Sequence, residues 1–294
     1  MILKGIYHSF SPSKRILLLL FLILTCFMVG NTIGLLGPLI FGADNLIDYN
    51  SSQTVHALKF LQGWSSLGVF VLPSLLFAYL SNINLGFHQI SRQQFVLTVS
   101  IMFLAMPLIN FLSFWNESLH LPSLLQPLEN WMRHAEAQAM LITEAFLKVD
   151  SWLGLLINVL IIALIPAFGE ELLFRGLIQK GLFKSWGNIH LAIWLSAFLF
   201  SALHLQFLGF IPRFLIGGLL GYLFFWSGSI WLPILAHFVN NATAVLLSFM
   251  INKGVINKEL EEIGTQAEQG PMLFICLLSL GLLLYLIKQI SVKV

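Results

Sequence analysis

Charge is what this sequence has least of. Only 10% of its 294 residues are charged, against roughly 25% in soluble domains. Hydrophobic residues make up 58% and the mean hydropathy is +0.88, so water is not the chain's main solvent. The net charge of +2 comes without any lysine- or arginine-rich run. That leaves no electrostatic footprint for nucleic acid. Cysteine is nearly as scarce. Cys26 and Cys276 both lie in apolar stretches, which excludes a disulfide framework and a thiolate zinc site and leaves each as a small packing residue. An A-x-A-like cleavage site is also missing after the first apolar run, residues 16–36, which follows Lys4, Lys14 and Arg15. That run exceeds the ~7–15 residues of a secretory h-region. It is read as a retained first span.

What is present is a series of long apolar runs. A span needs about twenty mostly apolar residues. Candidates are 16–36, 58–80, 95–115, 152–168 with an extension, 190–204, 210–226, 230–250 and 272–287. The fold expected is all-α, a polytopic membrane helix bundle of about eight transmembrane helices with the lipid bilayer as its surroundings. Residues 1–151 form an N-terminal membrane region of three spans and an outer insertion, 116–150. Within that insertion, 129–148 reads as an amphipathic helix along the membrane surface. Residues 152–250 form a core of four spans, and 251–294 a polar loop with a last span. With the N-terminus in the cytoplasm, Lys4, Lys14, Arg15, Arg92, Lys180, Lys184, Lys288 and Lys293 fall inside. Lys59, Arg133, Lys148, Arg213, Lys253 and Lys258 then fall outside. This modest positive-inside bias places both termini in the cytoplasm.

Against this background the ionisable residues of the core stand out, because a charge at bilayer depth costs ~2.5–3.5 kcal/mol on insertion scales. The segment IPAFGEELLFRGLIQKG carries Glu170, Glu171 and Arg175. The i,i+4 spacing puts Glu171 and Arg175 on one helical face, where they can pair. Glu170 points about 100° away, without a cation on its own helix. No proline interrupts the helix before the Gly187-Asn188 turn, and Glu170 precedes that turn by about as many residues as His204 follows it. At 1.5 Å per residue both lie about 25 Å from the hairpin tip, so an antiparallel pair brings them level. Beyond the Ser227-Gly228-Ser229 turn, His237 and Asn241 share a face at about 13 to 20 Å depth. Alone, Glu171–Arg175 would be a structural ion pair, His204 an interfacial histidine, and His237 or Asn241 interhelical glue. Their joint depth favours a site.

Two carboxylates, two imidazoles and an amide in a dry cavity suit hydrolysis. A glutamate can act as general base toward water, with His204 opposite it. His237 and Asn241 can donate hydrogen bonds to an oxyanion. Ser201 is the nearest serine, but no G-x-S-x-G elbow surrounds it. Two histidines and a glutamate are equally an accepted catalytic zinc set, though the H-E-x-x-H signature is absent. Sequence leaves zinc and metal-free chemistry both open. A proton-coupled transporter would use similar groups, but the inverted repeats that favour transport are not seen. A non-catalytic immunity or scaffold protein is the third reading.

E-E-x-x-x-R (Glu170, Glu171, Arg175), F-x-x-x-H (Phe200, His204) and H-x-x-x-N (His237, Asn241), in that order, resemble the CAAX-processing and bacteriocin-processing family of intramembrane proteases. These are the type II CAAX prenyl endopeptidases and their bacterial relatives. The resemblance covers about residues 152–250. It implies an intramembrane endopeptidase acting on a peptide or protein substrate. By the same resemblance Glu170 and His204 activate water, and His237 with Asn241 forms the oxyanion site. Glu171 with Arg175 holds the helix pair, and Phe200 packs beside the site.

Overall fold

The computed structural model describes residues 3–259, 263–265 and 269–291. Among these residues all regular structure is helical and no β-strand occurs. The principal helices are α1 (Pro12–Gly34), α2 (Ser52–Ser81), α3 (Arg92–Glu117), α4 (Gln126–Leu147) and α5 (Trp152–Trp186). They are followed by α6 (Ile189–Ala202), α7 (Phe210–Ser227), α8 (Trp231–Asn252) and α9 (Gly270–Ser291). Seven of them (α1, α2, α3, α5, α7, α8 and α9) are long and apolar enough to cross a bilayer. The protein is a multi-pass membrane protein. The eighth expected span is α6, apolar but only 14 residues long. At 1.5 Å per residue it reaches about 21 Å, short of a ~30 Å hydrocarbon core.

The two expected hairpins form where the turn residues predict. Gly187 takes φ 69° after α5, and the Asn188 side chain accepts from Leu191 N at 3.1 Å to start α6. Gly228 takes φ 66° between α7 and α8. Both are left-handed positions that glycine adopts without steric penalty.

Two devices shape α5. Its backbone widens into π-helical turns over Val159–Leu164 and Leu172–Gln179, on either side of the regular stretch Ile165–Glu171. Pro166 lies two residues beyond the end of the first widening. A proline lacks an N–H and its ring crowds the carbonyl four residues back, here that of Ile162; a wider turn relieves the crowding. The second device is Gly169. A Cβ there would lie 2.7 Å from the Phe70 Cβ and 2.8 Å from a Val71 methyl. Only glycine lets α2 approach α5 this closely, immediately before Glu170. Phe77, Leu172, Phe174, Phe200, Phe224 and Ile234 then pack α2, α5, α6, α7 and α8 into one apolar core. The faces of α1 and α9 are the least covered, as helices facing lipid tails would be.

Lys59 and Arg213, near the ends of the expected spans 58–80 and 210–226, both lie in helices. Lys59 is buried in α2 with its ammonium over the Phe146 ring, and Arg213 is in the first turn of α7. The expected amphipathic helix is α4, a few residues earlier than 129–148. It is clamped to the chain before it by Glu129, whose carboxylate accepts from His120 Nδ1, Leu121 N and Arg133 Nε, each at 2.8 Å. His120 is therefore part of this clamp. On its other side α4 meets the loop after α6: Glu136 accepts from Leu208 N at 3.2 Å, and Trp131 packs on Phe207.

The hydrogen bonds from Arg133 and His120 hold the Glu129 carboxyl down at about 2, below the ~4.3 of an unfolded glutamate. A depressed native value means stability present above the unfolded pKa and lost as pH falls through the native one. Protection of the α4 amides, taken as the exchange rate relative to an unstructured peptide at the same pH, should therefore stay high above about pH 5 and fall as pH drops from there toward 2. In Glu129→Gln, protection should already be lower at pH 7 and vary little across that window.

Candidate active site

Glu170 and Glu171 close the regular stretch of α5, and both are buried. Glu171 pairs with Arg175 as its spacing predicts: Nη1 lies 2.7 Å from Oε1, with side-chain exposures of 1% and 0%. Arg175 does more than close this pair. Its second terminal nitrogen donates to the Gly217 carbonyl on α7 at 2.9 Å, and its plane lies 4.7 Å over the Phe200 ring on α6. A Cβ at Gly217 would meet the Ala197 Cβ at 3.0 Å, so a glycine lets α7 come close beside α6.

The same Glu171 oxygen takes a second partner that spacing did not reveal. His237 Nδ1 lies 2.9 Å from it, bridging α8 to α5. His204 makes the matching bond to the backbone, with Nδ1 2.7 Å from the Phe200 carbonyl. A carbonyl and an ion-paired carboxylate only accept, so both Nδ1 atoms carry the proton. In the neutral rings both Nε2 atoms therefore present bare lone pairs. Both face Glu170: its Oε2 lies 3.9 Å from His204 Nε2 and 3.9 Å from His237 Nε2. That oxygen is buried and has no hydrogen-bond partner among the described residues. Phe200 sits edge-on to both rings, at 5.0 and 5.8 Å between centroids.

His204 and Glu170 are thus level, as the hairpin geometry predicts. His204 sits just beyond the end of α6 rather than inside a span, in a turn where Leu205 takes φ 54°. Asn241 is spent differently from the other motif residues. Its amide nitrogen donates to the Ile162 carbonyl at 3.2 Å, the acceptor whose α-helical donor Pro166 lacks, and its oxygen accepts from Asn240. Ser201 is engaged as well, donating to the Phe210 carbonyl at 2.7 Å.

Two imidazoles and a carboxylate are a donor set that zinc accepts. Ligands at 2.0–2.1 Å in a tetrahedron stand about 3.4 Å apart, closer than the 3.9 Å separations here. Among the described residues no three His, Cys, Asp or Glu side chains group as a metal site. In this arrangement the donors do not fit a zinc centre. The gaps do suit one water molecule, about 2.8 Å from each lone pair.

Arg213 was passed over in the sequence, although a single charge within the apolar run 210–226 carries the same signal that marked Glu170. Its guanidinium lies over the His204 turn, with Nη1 3.1 Å from the Gln206 carbonyl and Nη2 2.9 Å from the Gln206 side-chain oxygen.

An all-helical membrane protein with a buried carboxylate between two oriented imidazoles defines a class of intramembrane polar site. The comparisons agree with the motifs: residues 152–243 match the family described as type II CAAX prenyl endopeptidase Rce1-like. This segment carries every motif residue above. A protein of Bacillus subtilis (strain 168) with the name "Uncharacterized protein YpbD" is 34% identical over 89 residues, 29% of this chain and 42% of that protein. The chain thus spans less than half the length of this relative. No solved structure matches the chain.

Removing Arg175 would leave Glu171 buried and hydrogen-bonded only by His237. Breaking a buried pair from one side typically costs about 3–5 kcal/mol. Arg175→Ala should therefore lower the melting temperature in detergent strongly. Arg175→Lys, which keeps charge but cannot span Glu171 and Gly217 with a planar fork, should fall between the two. A stable but inactive Arg175→Ala protein would instead make Arg175 part of the chemistry.

Proposed function

We propose that the chain is an intramembrane endopeptidase in which Glu170, assisted by His204, activates water for attack on a peptide carbonyl. One observation carries the reading: the unpartnered Glu170 Oε2 faces two imidazole Nε2 atoms at 3.9 Å each. A water there donates one proton to Glu170 and one hydrogen bond to an imidazole. Its oxygen adds to the carbonyl carbon. The tetrahedral intermediate then expels the amine, which takes the proton held by Glu170, and the peptide C–N bond breaks.

The His237 tautomer sets its part in this scheme. With Nδ1–H committed to Glu171, Nε2 donates to an oxyanion only when the ring is an imidazolium. Glu171 holds the ring in the orientation for that donation. Asn241 has a second N–H beyond the one given to Ile162, available to the same oxyanion. Glu171 is thus a positioning residue for His237 as well as the partner of Arg175. The Rce1-like match over 152–243 supports peptide hydrolysis, and its description supplies a CAAX-type prenylated peptide as the substrate class. The proposed location is the cell membrane with both termini cytoplasmic, which puts the two hairpin turns and Lys180 and Lys184 on the cytoplasmic side.

Glutamine at 170 keeps the shape of the side chain but cannot accept a proton. Glu170→Gln should fold normally and cleave a peptide library ~10²–10⁴ times more slowly than wild type. Zinc content, measured on the same preparations and on His204→Ala, separates the two chemistries. Activity in zinc-free wild type supports the glutamate mechanism, whereas stoichiometric zinc lost in both variants supports a metal. Cleavage by Glu170→Gln at the wild-type rate would end the Glu170 mechanism, and no cleavage by wild type would end the endopeptidase reading and favour a transporter or scaffold.

A further inference from the structure

The cleft has a second charged feature that the water-activating groups do not use. Side-chain exposure is 9% at Glu170 and 8% at His237 but 29% at His204, so the site opens on the His204 side. The turn there is pinned in three ways. Ser201 Oγ bonds the Phe210 carbonyl across its base, and Asn116 on α3 bonds the Phe207 carbonyl and the Ile211 N–H at 3.0 Å each. The third pin is the Arg213 guanidinium, spread over the turn and bonded to both Gln206 oxygens.

Those Gln206 acceptors are neutral. Among the described residues no carboxylate lies within ion-pair distance of Arg213, although it is electrostatically coupled to Glu136 on α4 and to Glu170 and His204 in the site. The guanidinium has five N–H groups, and Gln206 uses two. A half-buried, oriented fork with spare N–H groups at the open side of a peptide site is suited to a carboxylate, which it can grip with paired hydrogen bonds.

We propose that Arg213 is a specificity-determining residue that anchors a carboxylate of the bound peptide. The proposal rests on the endopeptidase reading for its choice of ligand. A peptide offers that chemistry from two sources, its C-terminus or an Asp or Glu side chain. The rival role for Arg213, holding the Gln206 turn, makes a different prediction. A loosened turn disturbs His204 and slows every peptide alike, whereas loss of an anchor removes only the preference for the anion.

The test uses full-length protein and two matched peptide pairs: free C-terminal acid against C-terminal amide, and internal Glu against internal Gln. Binding is read by fluorescence anisotropy on Glu170→Gln protein, and cleavage on protein with Glu170 intact. The acid member of one pair should bind about tenfold or more tightly than its neutral twin, as expected for charge-assisted hydrogen bonds. Arg213→Gln should erase that difference, and Arg213→Lys should retain part of it. The pair that responds identifies the source of the carboxylate. Equal binding of both members of both pairs, or a preference that survives in Arg213→Gln, would overturn the proposal. Should Arg213→Gln fail to fold, a preference undiminished in Arg213→Lys would overturn it too. An acid preference in binding with no cleavage of any peptide would count against the endopeptidase reading alone.

Discussion

One carboxylate oxygen organises the centre of this bundle. Glu171 Oε1 accepts from Arg175 at 2.7 Å and from His237 at 2.9 Å. Through Arg175 it reaches the Gly217 carbonyl and the Phe200 ring. Four helices, α5 to α8, therefore meet at a single ion pair. Buried pairs of this kind seldom add net stability over a well-packed apolar equivalent, because both ions lose their hydration. What the pair supplies here is definition. It fixes the azimuth of α5 and the tautomer of His237, and the residue next to Glu171 is thereby aimed into the space between α6 and α8.

Glu170 is the counterpart of that pair. One residue away in sequence, it turns about 100° around the helix and receives neither the arginine nor a backbone donor. The bundle thus gives one of two adjacent carboxylates a cation and a second hydrogen bond, both at Glu171 Oε1, and leaves the other facing two lone-pair-bearing imidazoles. The elements outside the Rce1-like segment complete the setting. Asn116, Trp131 and Glu136 belong to α3 and α4, yet all three contact the loop after α6, next to His204. The N-terminal half is part of how this site is held.

Much of this was legible because membrane helices are rigid rulers. Counting residues from the Gly187 turn set Glu170 and His204 at one depth, and the structure places them 3.9 Å apart. The i,i+4 spacing gave the Glu171–Arg175 pair, and the mix of apolar and charged positions gave α4. It failed where lateral packing decides. The bond from His237 to Glu171 depends on the rotation of α8, which no spacing encodes. The fixed place of Asn241 on the Ile162 carbonyl depends on Pro166 having emptied that acceptor. The length of α6 was not legible either, because the apolar run continues through Leu203 although the helix ends at Ala202.

The widened turns in α5 have a consequence for how such a chain can change. A π turn holds an extra residue relative to an α-helix, so excising one residue from Val159–Leu164 would straighten the backbone at little local cost. The wide turn would close to an ordinary one and everything downstream would keep its azimuth, with Glu170, Glu171 and Arg175 still in place. A residue removed from the regular stretch Ile165–Glu171 has no such slack and would swing all that follows by about 100°. The wide turns thus mark where this helix can lose a residue without losing its site.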